Sequence, residues 1–265
     1  MEPPIVSAII PTKNSGRYLG KCLHSIMEQT YSNVEIIVVD NHSADDTPEI
    51  CRRFGVKLIV AGNERSRQTN VGVNSSHGDI VWRTDSDCVF DPTLIREAVD
   101  KLKAGFDAVT VSGTMDTSMG LWSRVRKAER DTFVGDWAHT APSFFNKKAF
   151  VTVGGFNEKL SAFEEYDLGN KLSRAGYSIG HITAKWYHLG EPKNLAEVVR
   201  KYVYYGNRRN ITEFAKENPG KGMWQIAPLR LVYLKNLKQF KMLFFPFLIY
   251  HYVRYASALI GFLSS

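Results

Sequence analysis

Gly78-Asp79-Ile80-Val81-Trp82-Arg83-Thr84-Asp85-Ser86-Asp87-Cys88-Val89-Phe90 is the stretch that decides the fold. Ile80, Val81 and Trp82 have the β-branched and aromatic character of a short buried strand. That strand runs directly into Asp85-Ser86-Asp87. Two carboxylates this close at a strand end are costly unless something positive lies between them. A divalent metal holding a diphosphate fits, because hard cations take carboxylate and phosphate oxygens together. The plainer alternative is a turn that favours Asp and Ser. What lies on either side decides between the two.

Upstream, residues 5–11 are apolar and stop at Pro11-Thr12-Lys13-Asn14, as a strand entering a loop does. Residues 17–30 carry Leu19, Leu23, Ile26 and Met27 at helical spacing. Residues 34–39 form a second apolar run that ends at Asp40, and Ser43-Ala44-Asp45-Asp46 offers N-caps for a helix. Residues 57–60 read as a third strand and residues 69–75 as a helix before Gly78. Strands alternating with helices at this pitch predict an α/β fold with a mainly parallel, Rossmann-like sheet flanked by helices. Ligands of such sheets bind outside the carboxyl ends of the strands, where Asn14, Asp40, Asp85 and Asp87 all fall.

Downstream, residues 112–145 mix Trp122, Arg124, Arg126, Arg130, Trp137 and His139 with no clean period. Trp137 could stack on a sugar or sit in the core; the core is the default for a tryptophan. Residues 163–175 open with Glu164, Glu165 and Asp167, continue at helical spacing through Leu168 and Leu172, and stop at Gly176. A helix N-terminus favours such acids through its dipole, while their mutual repulsion can raise one of them toward the range of a useful base. His188 follows the strand-like Ala184-Lys185-Trp186-Tyr187. Residues 201–209 are basic and aromatic, but no nucleic-acid-binding motif accompanies them, and no nucleic-acid partner is expected.

The 265 residues suffice for one large α/β domain with an appendage, and 44% apolar with 23% charged residues excludes a disordered chain. The formal charge of +7 points to anionic partners. Cys22, Cys51 and Cys88 are scattered, which predicts reduced thiols in a cytosolic compartment. Met1-Glu2-Pro3-Pro4 has neither a basic region nor an apolar run, so no signal peptide is expected. After Glu217 there is no acidic residue, yet Lys221, Arg230, Lys235, Lys238, Lys241 and Arg254 follow. On a helix, Arg230, Lys235, Lys238 and Lys241 oppose Leu229, Val232, Tyr233, Phe240 and Leu243, the pattern of an interfacial helix on an anionic bilayer. Residues 242–263 are nearly long enough to span, but they contain Pro246, His251 and Arg254. An arginine in mid-membrane costs about 2.5–3.5 kcal/mol on insertion scales, which favours a helix hairpin in one leaflet. An amphipathic tail covering the catalytic domain or a dimer partner is the alternative.

Taken together, Ser7-Ala8-Ile9-Ile10-Pro11-Thr12-Lys13-Asn14, Val38-Val39-Asp40-Asn41-His42-Ser43, Asn70-Val71-Gly72, Asp85-Ser86-Asp87, Gly154-Gly155-Phe156 and Glu164-Glu165-Tyr166-Asp167 resemble family 2 glycosyltransferases. The ordered series covers roughly residues 5–190 and implies an inverting, GT-A-fold enzyme that uses a nucleoside-diphosphate sugar, UDP- or GDP-linked, with Mn2+ or Mg2+. The resemblance further implies donor contacts from Pro11, Thr12, Asn14, Asp40, Arg67, Asn70, Asp85 and Ser86. Asp40 would accept from the nucleotide base, with helix capping as its alternative role. The implied metal holders are Asp87, Asp85 and His188, and the implied catalytic base is Glu165.

Thr69 stands where the family often has an arginine, with Arg65 and Arg67 just upstream, and Glu164-Glu165 replaces the usual Glu-Asp pair. No Gln-x-x-Arg-Trp is present, which favours addition of a single sugar over processive synthesis. The expected organisation is a catalytic domain over residues 1–220 and a membrane-associating helical segment over 221–265. The expected place is the cytoplasmic face of the cell membrane, peripheral or monotopic, with a glycan or lipid-linked acceptor. Two alternatives remain at this level: a nucleotidyltransferase on a similar fold, and a basic membrane adaptor without catalysis.

Overall fold

The computed structural model describes residues 2–115, 117–134, 140–220, 233, 238 and 240–265. Trp137, His139 and most of the basic stretch before Lys238 lie outside the described residues. Strands β1 (Val6–Thr12), β2 (Val34–Asp40), β3 (Lys57–Val60) and β4 (Ile80–Arg83) pair in parallel in the order β3-β2-β1-β4. Helices α1 (Leu19–Met27), α2 (Thr47–Phe54) and α3 (Arg65–Asn74) make the crossovers. Side chains alternate across β1, which is buried along its whole length. Val6, Ala8 and Ile10 join a core with Leu19, Leu23 and Ile26 of α1, while Ile9 faces Val73 of α3.

After β5 (Cys88–Phe90) and α4 (Leu94–Lys103) come β6 (Ala108–Met115), α5 (Leu121–Asp131), β7 (Pro142–Asn146) and α6 (Lys147–Thr152). Helix α7 (Glu164–Arg174) and β8 (Ile179–His188) follow. The sheet order is β3-β2-β1-β4-β7-β6-β8-β5, with β7 antiparallel to both neighbours and β5 antiparallel to β8. The span 112–145, aperiodic as a sequence, therefore holds the end of β6, all of α5 and part of β7. Its helical period is masked because Arg126 and Glu129 occupy buried positions of α5 as an ion pair.

The sheet is curled. Three strands separate β4 from β5 in the ladder, so a flat sheet would place them about 19 Å apart. The chain from Arg83 to Cys88 reaches at most about 18 Å when fully extended. Trp82 of β4 lies edge-on to Phe90 of β5 at 4.6 Å and stacks on Phe144 of β7 at 5.0 Å. The Asp85–Asp87 turn thus links β4, in the middle of the sheet, to the edge strand β5 that curls back toward it.

Helices α8 (Leu195–Tyr205), α9 (Arg208–Glu217) and α10 (Phe244–Leu263) complete the described structure. The basic and aromatic run 201–209 is only partly at the surface: Tyr204, Arg208 and Arg209 are exposed, but Tyr202 is buried in a third core with Val125 of α5 and Phe247 and Tyr250 of α10. Residues 244–263 form one continuous helix, and the other arm of the expected hairpin lies outside the described residues. Gly206, which caps the C-terminus of α8, and Gly261 on α10 let these helices touch: a Cβ at Gly206 would run into the carbonyl of Ala258, and one at Gly261 into that of Val203.

Candidate active site

The carboxyl ends of β1, β2 and β4 share one edge. Asp40 closes β2 opposite Thr12 and is 1% exposed. The Thr12 hydroxyl donates to its Oδ1 at 3.0 Å, and the backbone N–H of Ser43 donates to Oδ2 at 2.8 Å. Asp40 therefore fixes the turn after β2; it does not cap α2, which starts at Thr47 after Asp46. Asn14 takes a left-handed φ of 49°. Its N–H donates to Ser43 Oγ at 2.7 Å and its Oδ1 accepts from the Ala44 N–H at 3.0 Å, lacing the two loops together. Ser15 and Ser86 join hydroxyls at 2.8 Å, tying this edge to the Asp85–Asp87 turn.

A cavity of about 310 Å³ opens beside that turn, lined among others by Arg83, Asp85, Glu165, His188, Glu191 and Lys201. Arg83 is its organiser. Its side chain is 7% exposed, with Nη2 3.0 Å from Asp85 Oδ1 and Nη1 2.9 Å from Glu165 Oε1. Burial works to raise the Asp85 pKa, but Arg83, then Arg65, His188 and Lys201, outweigh it and bring it to about 2. Asp85 therefore stays ionised.

The three acids that open α7 have separate surroundings. Phe163 turns into the helix with a left-handed φ of 67°. Glu164 is 1% exposed and 2.9 Å from Arg65 Nη2. Burial, with the charge of Glu165 added, pushes it up to about 7 against the pull of Arg65 and Arg83. Asp167 is fully buried, accepting from Asn218 Nδ2 at 2.8 Å and pairing with Lys171 at 2.8 Å. Of the three, Glu165 is the one that lines the cavity.

At the end of β8, His188 Nε2 lies 3.4 Å from Asp87 Oδ2, and Nδ1 accepts the Gly190 N–H at 3.2 Å. Nε2 is thus the ring nitrogen that faces Asp87. Asp87, Cys88 and His188 offer ligand atoms within 4.8 Å of one another. Burial raises the Cys88 thiol well above its ordinary range, so it stays protonated and ill-suited to a hard cation. Asp87 and His188 form an oxygen–nitrogen pair suited to Mn2+ or Mg2+. Gly190 lets the loop close over them, since a Cβ there would collide with Asp87 Oδ2. Asp85, expected to share the metal, pairs with Arg83 through Oδ1.

Three expected donor residues lie elsewhere. Arg67 is exposed on α3, two positions and so more than half a turn from Arg65, which does line the cavity. Asn70 donates to the Phe156 carbonyl at 3.0 Å and accepts from its N–H at 3.1 Å, pinning α3 to the Gly154-Gly155 turn. Pro11 is buried within β1.

Reading the sequence missed Arg83, Glu129, Glu191 and Arg254. Arg83 carried a signal: a charged residue closing an apolar strand, two positions before an acid. Glu129, 1% exposed, pairs with Arg126, with Arg254 at 2.8 Å, and accepts from Tyr233 at 2.8 Å. Arg254 and Tyr233 reach Glu129 across more than a hundred residues of chain and carry no local signature.

A family model described as Glycosyl transferase family 2 matches residues 7–158. The chain is 33% identical over 168 residues to Glycosyltransferase GlyG of Streptococcus pneumoniae, covering 61% of this chain and 48% of that protein. It is 27% identical over 187 residues to chondroitin synthase of Escherichia coli, covering 65% and 27%. The chain thus spans about half or less of the length of these two relatives. Among solved structures, it resembles a mannosyltransferase from Pyrobaculum calidifontis in complex with GDP-Man and Mn2+, with TM-score 0.66 and 16% identity over 98% of this chain and 86% of that one. Glucosyl-3-phosphoglycerate synthase from Mycobacterium tuberculosis, in complex with Mn2+, UDP and glucosyl-3-phosphoglycerate, aligns with TM-score 0.56 and 17% identity over 81% and 80%. At such identities these structures speak to the fold.

Proposed function

The chain belongs to glycosyl transferase family 2 and has the GT-A fold, and from that premise we propose that it moves one hexose, with inversion, from a UDP- or GDP-linked donor to a glycan or lipid-linked acceptor. Family membership displaces the nucleotidyltransferase and non-catalytic readings. The observation that carries the proposal is that Glu165 alone of the α7 acids shares the cavity with Asp85 and His188. In this reading Asp40, Thr12 and Asn14 hold the nucleoside end of the donor, and Asp87 with His188 hold a divalent ion, Mn2+ or Mg2+, beside the diphosphate. When bound, that ion supplies positive charge against the departing diphosphate.

Glu165 takes the acceptor hydroxyl proton. The acceptor oxygen forms its bond to the anomeric carbon from the opposite side, and the carbon–oxygen bond to the diphosphate breaks, its electron pair leaving with the diphosphate. Arg83 holds Glu165 and Asp85 in fixed relation during this exchange. In this reading the reaction runs at the cytoplasmic face of a membrane. The three buried, unpaired cysteines suit a reducing compartment, and α10 exposes Phe245, Leu248, Tyr252, Leu259 and Leu263.

Turnover of Glu164→Gln, Glu165→Gln and Asp167→Asn on one hydroxyl acceptor tests the assignment. Glu165→Gln should lose about 10²–10⁴-fold while keeping nucleoside-diphosphate affinity. Near-normal turnover of Glu165→Gln, with collapse in Glu164→Gln, would move the base to Glu164.

A further inference from the structure

The cavity carries a surplus of positive charge, and the surplus is local. Arg65 is matched by Glu164, Arg83 by Asp85 and Glu165, and Arg126 and Arg254 by Glu129. Lys201 of α8 and Arg130 of α5 line the same cavity. Among the described residues, neither has a carboxylate within the 4.0 Å of an ion pair, nor a side-chain hydrogen bond. The Arg130 guanidinium lies 4.9 Å over the Trp186 ring, which occupies its face and leaves its N–H edge available. Burial acts to lower the Lys201 pKa, but Glu191, Tyr205 and Tyr202 outweigh it, so the ammonium keeps its charge.

Glu191 is the carboxylate the two cations share, and it lies beyond ion-pair distance, so the hydration these half-buried cations forfeit is only partly offset until a further anion arrives. Lys201 and Arg130 both act on Glu191, and Lys201 acts also on Asp85 and Asp87, so the two cations flank the His188 end of the cavity. The donor diphosphate already has Asp87, His188 and their ion in the reading above. A second anion is what the remaining cations lack.

Resting on that transferase reading, we propose that Lys201 and Arg130 form a subsite for a phosphate carried by the acceptor, whose free hydroxyl is delivered to Glu165. The acceptor is then a phosphorylated glycan, soluble or lipid-linked. Charge-assisted bonds from an ammonium and from a planar guanidinium edge are the pairing phosphate oxygens select. The wall that carries Lys201 is also the one on which α10 rests, so an acceptor entering there passes the helix that exposes the apolar stripe.

The test uses the full chain with Mg2+ and a saturating nucleoside diphosphate, titrated calorimetrically with inorganic phosphate and, in a second arm, with farnesyl phosphate. Phosphate should bind the loaded protein, and Lys201→Met and Arg130→Met should each weaken it at least about tenfold, the loss of one charge-assisted hydrogen bond. Nucleoside-diphosphate affinity should stay within about threefold, and Lys201→Arg should restore phosphate binding. Tighter binding of farnesyl phosphate than of inorganic phosphate assigns a lipid source; equal binding assigns a soluble one. Phosphate binding unchanged in both Met variants overturns the subsite. Loss of nucleoside-diphosphate affinity in those variants overturns the acceptor assignment and gives the cations to the donor. If the unsubstituted protein binds no nucleoside diphosphate, the donor reading fails by itself, and phosphate titration of the nucleotide-free protein still decides the subsite.

Discussion

Glu164 and Glu165 are neighbours in sequence with opposite situations, and the difference is measurable. Glu164 is buried and pushed up to about 7, above the 4.5 of a free glutamate. The folded state thus holds its proton where the unfolded chain has released it. Its contribution to stability is fully present below about pH 4.5 and is lost as pH rises through about 7. Glu164→Gln removes that loss. The variant should gain on the order of 1–3 kcal/mol relative to the unsubstituted protein at pH 8 and little at pH 4.5, read from urea denaturation at both values. Equal destabilisation at both would show that the ion pair with Arg65 dominates instead. The acids themselves were legible in the sequence, because spacing at a strand end and at a helix start marks them out. Which acid faces the cavity was not, since that depends on Arg65 and Arg83 arriving from α3 and β4.

Between elements, the contact of α8 with α10 is the one most exposed to a single change. Gly206 and Gly261 each sit against the partner helix's backbone, where no side chain has room. Gly261→Val should lower stability by about 1–3 kcal/mol or more, as overpacking does, and should raise amide exchange across 244–263. Leu259→Val, on the exposed side of the same helix, should leave both unchanged. An unaltered melting temperature in Gly261→Val would mean that α10 is not held by this crossing. Strands β1 to β4 and helix α7 could be read from periodicity and turn residues. Helix α5 could not, because its buried face is ionic, and the pairing of β8 with β5 and β6 could not, because it joins distant segments.

At the scale of the whole molecule, one face of α10 is committed to the protein and the other is bare. Lys241–Leu263 is long and apolar enough to cross a membrane by length and composition. Crossing would pull Arg254 from Glu129 and Tyr250 from the core it shares with α5 and α8, whereas lying in the plane of a bilayer keeps both. Flotation with anionic vesicles should therefore recover the intact protein. Phe245→Glu combined with Tyr252→Glu should reduce recovery severalfold, and added salt should weaken it through the exposed Lys238 and Lys241. Recovery that ignores both would leave the bare face for a protein partner. The curl of the sheet has a consequence of its own. The Asp85–Asp87 turn is a short link between a mid-sheet strand and the edge strand that curls back to meet it, so the placement of its carboxylates depends on that closure as much as on the turn's own residues. A surface loop absorbs an inserted residue as slack. Here the slack would release the closure of the sheet, and the two acids would lose their relation to Arg83 and His188 together.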